Sequence, residues 1–80
     1  MPQKIEILRD IINQVCENNS KQKILWLHPS TNLRDEIGLD SFDLAELTVR
    51  IEMKFGIDVF ESGIVLTVGE ILNKLDNGNG

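Results

Sequence analysis

The chain has no tyrosine, one cysteine, one histidine, one tryptophan and two prolines among its 80 residues. Each scarcity excludes something. A lone Cys16 cannot close an internal disulfide, and with His28 it falls far short of a zinc ligand set, so no metal is expected. Charges interrupt every apolar stretch, so none approaches the roughly 20 residues that span a bilayer. The start, Met1-Pro2-Gln3-Lys4-Ile5-Glu6, lacks the apolar run of a signal peptide. These absences predict a reduced, cytoplasmic monomer. Size excludes more: a domain this short buries only about 60–65% of its unfolded surface, which leaves little interior for a desolvated cleft. An autonomous enzyme is not expected.

Positive charge is also in short supply. Residues 1–30 carry four basic and three acidic side chains, whereas residues 31–80 carry four basic and ten acidic ones. An acidic half repels nucleic-acid phosphates and anionic lipid and suits partners with basic surfaces.

What is present is apolar residues at helical spacing. Ile5, Leu8, Ile12 and Val15, widened by Ile7 and Ile11, predict an amphipathic helix from Pro2 to about Glu17, closed by Asn18-Asn19-Ser20. Ile24-Leu25-Trp26-Leu27 is too short to type by period. It and Leu33–Leu39 are expected on the core, with Trp26 as a buried or partly covered anchor. A second helix opens at Asp40, a good N-cap, and runs to Phe55 before Gly56. It is apolar on two faces: Leu44, Leu47, Ile51 and Phe55 form one stripe, and Phe42, Ala45, Val49 and Met53 form another. Only one can face the core of so small a domain. Asp58–Ile64 predicts a short helical turn, and Thr67 with Glu70 forms a capping-box pattern before Ile71, Leu72 and Leu75. From Asp76 on, the chain lacks apolar anchors and predicts a frayed tail. The division expected is a domain over 1–76 and a disordered tail over 77–80. The class is all-α: three longer helices and one short one.

The chemistry concentrates at Gly38-Leu39-Asp40-Ser41-Phe42-Asp43-Leu44. A small hydroxyl stands at the first position of a helix, where free N–H groups and the helix dipole favour a phosphate. A plain capping cluster is the competing reading of these residues. A nucleophilic Ser41 needs an oriented base, and His28, which precedes a proline, is a poor candidate. Asp40, Asp43 and Glu46 do not make an EF-hand loop, because Phe42 and Leu44 stand where oxygen ligands belong.

The run from Leu33 to Leu47, with its Asp40-Ser41-Phe42-Asp43-Leu44-Ala45-Glu46-Leu47 centre, resembles the central signature of acyl carrier proteins. The likeness continues through Ile51–Ile57 and Thr67–Ile71, covering about residues 33–75. The resemblance implies a small four-helix bundle that carries no activity of its own. In it Ser41, preceded by Asp40, would bear a 4′-phosphopantetheine arm derived from coenzyme A. The arm would carry acyl chains as thioesters in fatty-acid, polyketide or related lipid synthesis. The implied partners are a phosphopantetheinyl transferase, an acyl-loading ligase or transferase, and a ketoacyl synthase or other pathway enzymes. They would dock on the helix that starts at Ser41, through Phe42, Ala45 and Val49 and the carboxylates of Asp43, Glu46 and Glu52.

Departures from the pattern have consequences. Arg50, Met53 and Lys54 interrupt a helix that is more uniformly acidic in fatty-acid members, Phe42 replaces a commoner leucine, and Phe60 stands where a proline is common. Together with the apolar Ile24–Leu27 run, they point to a dedicated pathway carrier rather than a housekeeping one. The alternatives are an aminoacyl or peptidyl carrier, or a helical interaction module without the arm.

Overall fold

Three helices form where the apolar spacing places them: α1 (Lys4–Asn18), α2 (Ser41–Phe55) and α3 (Val68–Asn77). They belong to a computed structural model that describes residues 3–60, 63 and 65–77. Among these residues there is no strand, only an isolated antiparallel bridge between Asn32 and Thr67. Leu8, Ile12 and Val15 of α1 meet Leu47 and Ile51 of α2 and Ile71 and Leu75 of α3 in one core. Leu33, Leu39, Val59 and Val65 from the connections seal it. Removing apolar area of this kind from water is the main term holding so small a domain together.

The long connection crosses the core as expected at Leu33, Ile37 and Leu39 but not at Trp26. Ile24 and Leu27 pack against the core, whereas Leu25 and Trp26 point outward, Trp26 with 77% of its surface exposed. The expectation of a covered Trp26 is corrected, and the cause lies on α1. Asn13 of α1 grips the backbone of Ile24 from both sides: its Nδ2 donates to the Ile24 carbonyl at 3.0 Å, and its Oδ1 accepts the Ile24 N–H at 2.7 Å. The strap is pinned with Ile24 inward, and the two residues that follow are left facing solvent.

The short helix expected over Asp58–Ile64 falls partly on residues that the structure does not describe. Asp58 Oδ1 accepts the Phe60 N–H at 3.0 Å, a side-chain turn that competes with a helical start. Gly63 N–H then reaches the Phe60 carbonyl. Glu61, Ser62 and Ile64 lie outside the described residues, and no fourth helix stands among those described. At the other end α3 continues through Asp76, whose carboxylate meets Lys4 Nζ at 2.7 Å. Gly78, Asn79 and Gly80 are outside the described residues.

The start of α3 is capped twice over. Thr67 Oγ1 accepts the Glu70 N–H at 3.2 Å and donates to Glu70 Oε1 at 3.1 Å. The Val68 and Gly69 N–H groups go to the carbonyls of Thr31 and Pro29, at 3.0 and 2.7 Å. A Cβ on residue 69 would lie 2.8 Å from the Pro29 oxygen, so this approach requires glycine. Thr67→Ala is expected to cost about 1 kcal/mol, a noticeable share of the stability of a small domain. A thermal melt unchanged by the substitution would remove Thr67 from the cap.

Candidate functional site

The residues around Ser41 build a reciprocal cap. Asp40 is extended (φ −92°, ψ −174°), and its Oδ1 accepts the Asp43 N–H at 2.9 Å. Asp43 Oδ2 in turn accepts the Asp40 N–H at 3.0 Å. This is a capping box with the shorter aspartate in the usual place of glutamate. Ser41 is thereby held at the first position of α2, exposed, and its hydroxyl has no partner among the described residues.

One expectation is revised by this geometry. The helix start was expected to offer free N–H groups to a phosphate, but the Asp40 carboxylate already takes the Asp43 N–H. The same bond from the Asp43 backbone is the main cause that holds the Asp40 carboxyl below its ordinary value of 3.8.

The three carboxylates expected to share an exposed face do not share one. Asp43 is a correction: it is only 2% exposed, because reaching back to the Asp40 N–H turns its carboxylate inward, where Lys21 Nζ meets it at 3.1 Å. It holds the site together and is not a free docking charge. Glu46 is half-buried and tied within the chain, by Asn18 Nδ2 and Arg50 Nε at 3.0 Å each and by Asn19 Nδ2 at 3.3 Å. The Asn18 amide, followed by Arg50, holds its carboxyl below the ordinary 4.5. Glu52 is exposed.

What α2 does show to solvent is its second apolar stripe. Phe42 is 84% exposed, Val49 57% and Met53 81%, with Ala45 exposed between them. At its far end the stripe runs into an open groove of about 510 Å³ between α1 and α2, lined by Ile7, Ile11, Gln14, Arg50, Met53 and Lys54. Ser41 does not line it. Cys16 lies in the core, where burial, and then the nearby charge of Asp43, push its thiol above the ordinary value.

The lowered carboxyls give a pH dependence. A carboxyl whose folded pKa lies below its unfolded one stabilises the fold fully above the unfolded value, and that contribution is lost as pH falls through the folded value. Melting temperature is therefore expected to fall below pH 4.5 as Glu46, and then Asp40, take up protons. Asp40→Asn, which can still cap, should show a shallower decline below pH 3.8. Parallel acid limbs in the two proteins would remove Asp40 from the account.

Lys21 and Asn13 were not singled out in the sequence, and Asn18 and Asn19 were read only as the end of the first helix, because the partners of these side chains lie on other elements. The chain belongs to the phosphopantetheine attachment site family, whose model matches residues 6–74. Its members are carrier domains with a covalently attached 4′-phosphopantetheine, and they work with phosphopantetheinyl transferases and pathway enzymes. No solved structure matches the chain. Among the described residues, no helix is long and apolar enough to cross a membrane, and no group of His, Cys, Asp and Glu gathers as a metal site.

Proposed function

We propose that this chain is an acyl carrier protein and that Ser41 is its attachment point for 4′-phosphopantetheine. The observation that carries this is Ser41 itself: exposed, unpartnered and fixed at the start of α2, inside the stretch that matches the family. The residues present fit the group, since the hydroxyl stands outside the Asp40–Asp43 cap with solvent in front of it. When attached, the group supplies a thiol that holds acyl chains as thioesters.

The chain's own residues do the rest. Ser41 provides the hydroxyl oxygen of the phosphodiester, while Asp40 and Asp43 keep the turn from wandering. Phe42, Ala45 and Val49 offer an apolar face to the transferase, an acyl-loading enzyme and a condensing enzyme such as a ketoacyl synthase, with Glu46 and Glu52 at its edge. Aspartate before the serine and the acidic second half favour an acyl load over an aminoacyl or peptidyl one. Met53 and Lys54, both exposed on α2, support a dedicated pathway rather than housekeeping fatty-acid synthesis. One buried, unpaired cysteine suits a reducing compartment such as the cytoplasm. The test is tandem mass spectrometry after treatment with coenzyme A and a phosphopantetheinyl transferase. The arm belongs on the peptide that contains Ser41; an arm on Ser20, Ser30 or Ser62, or none, overturns the reading.

A further inference from the structure

Lys21 is the cation that touches the serine-bearing turn, and its backbone is anchored. Helix α1 ends in a Schellman arrangement: Ser20 takes a left-handed conformation (φ 58°), its N–H donates to the Glu17 carbonyl at 3.3 Å, and the Lys21 N–H donates to the Cys16 carbonyl at 2.7 Å. From that fixed base the side chain, 29% exposed, reaches the entry of α2. Its Nζ donates to the Gly38 carbonyl at 3.0 Å and lies 3.1 Å from Asp43 Oδ2. Gly38 starts the turn into Ser41, at φ 86°, and Asp43 closes it through the Asp40 N–H. One ammonium group thus bridges both sides of the turn that carries the serine and ties them to the end of α1.

Taking the Ser41 reading as given, we infer that Lys21 is a positioning residue for its modification. The physical ground is the buried Asp43 carboxylate. A buried charge is tolerated when it is paired and hydrogen-bonded, and it is costly when one partner is removed. With Lys21 in place, Asp43 Oδ2 is held between an ammonium and the Asp40 N–H, and Gly38 cannot swing away. Without it the carboxylate seeks water, the Asp40 N–H loses its acceptor, and the Ser41 hydroxyl samples orientations in which it is not presented to an attacking site. Misplacing a reacting atom by about 1 Å costs up to about 100-fold in rate. Lys21 acts through the turn and does not itself touch the reacting atoms.

The experiment compares wild type, Lys21→Met and Lys21→Arg, each well below its melting temperature, with coenzyme A and one phosphopantetheinyl transferase. Methionine keeps the length and loses the donors; arginine keeps charge and can donate to both acceptors. Lys21→Met is expected to lower kcat about tenfold, an intermediate cost on that scale, with little change in KM for the carrier or for coenzyme A. Lys21→Arg should restore most of the rate. Independently of any arm, amide hydrogen exchange should quicken at Asp40 and Asp43 in Lys21→Met while the core amides of α1 stay protected. Unchanged kcat and unchanged exchange would overturn the inference. So would a rise in KM for coenzyme A, which would make Lys21 a phosphate contact, or a failure of arginine to rescue. A wild-type protein that gains no arm defeats the Ser41 reading instead, and the exchange experiment still decides whether Lys21 holds the turn.

Discussion

Treated with coenzyme A and a phosphopantetheinyl transferase, the wild-type chain is expected to gain the mass of one 4′-phosphopantetheine group, and Ser41→Ala none. The loss should be complete because no neighbouring hydroxyl can substitute: Phe42 follows Ser41, and Asp40 and Asp43 are committed to each other. It should also come without a folding defect. The Ser41 hydroxyl has no partner among the described residues and the cap is made by Asp40, so Ser41→Ala should change stability by about 0.5 kcal/mol or less. Asp40→Ala provides the contrast, removing the acceptor of the Asp43 N–H and lowering the melting temperature. Ser41→Ala protein that melts as wild type yet still takes the arm would place attachment elsewhere. Once the arm is attached, loading by an acyl ligase but not by an amino-acid-activating enzyme would separate the acyl from the aminoacyl reading.

Phe42→Ala should slow that modification about 30-fold in kcat/KM, corresponding to about 2 kcal/mol for a central aromatic contact. In the free protein the ring is 84% exposed, so the melt should hardly move. Charge should matter less than the acidity of the second half suggests. Asp43 is buried and Glu46 is tied to Arg50 and two asparagines, which leaves Glu52 as the exposed one of the three carboxylates. Glu52→Lys should therefore change the rate by less than about threefold, and only at low salt, since exposed charges are screened beyond about 10 Å at 0.1 M. Reversing Asp43 is no test of docking, because a lysine there would face Lys21 inside the cap. Phe42→Ala modified at the wild-type rate would move docking off this face.

Much of this was legible along the chain. Apolar residues at three- and four-residue spacing placed all three helices within about two residues of their ends. Asp40 and Thr67 marked two starts, and Gly56, left-handed at φ 73°, marked the end of α2. The double apolar character of α2 was also readable, and it is realised as one buried and one exposed stripe. Trp26 was not legible. A four-residue apolar run has no period of its own, and its facing depends on Asn13, eleven residues away and on another element. At the expected short helix, Asp58 marked a turn as readily as a helix start, and its side chain accepts the Phe60 N–H; Glu61, Ser62 and Ile64 lie outside the described residues.

The sequence by itself determined the all-helical class, the helix positions and the serine at a helix start, because periodicity and capping act over a few neighbouring residues. Only the tertiary structure decided which charges are free. Asp43, three residues after its N-cap, and Glu52 are both carboxylates of α2, yet Lys21 seals one and the other faces solvent. Glu46 meets Asn18, Asn19 and Arg50 only because α1 ends beside α2. Lys21 differs from Lys23 in nothing local, but the turn that ends α1 aims it at Gly38 and Asp43. A charge's role is set by what packing brings within about 3 Å of it, and that distance is a property of the fold.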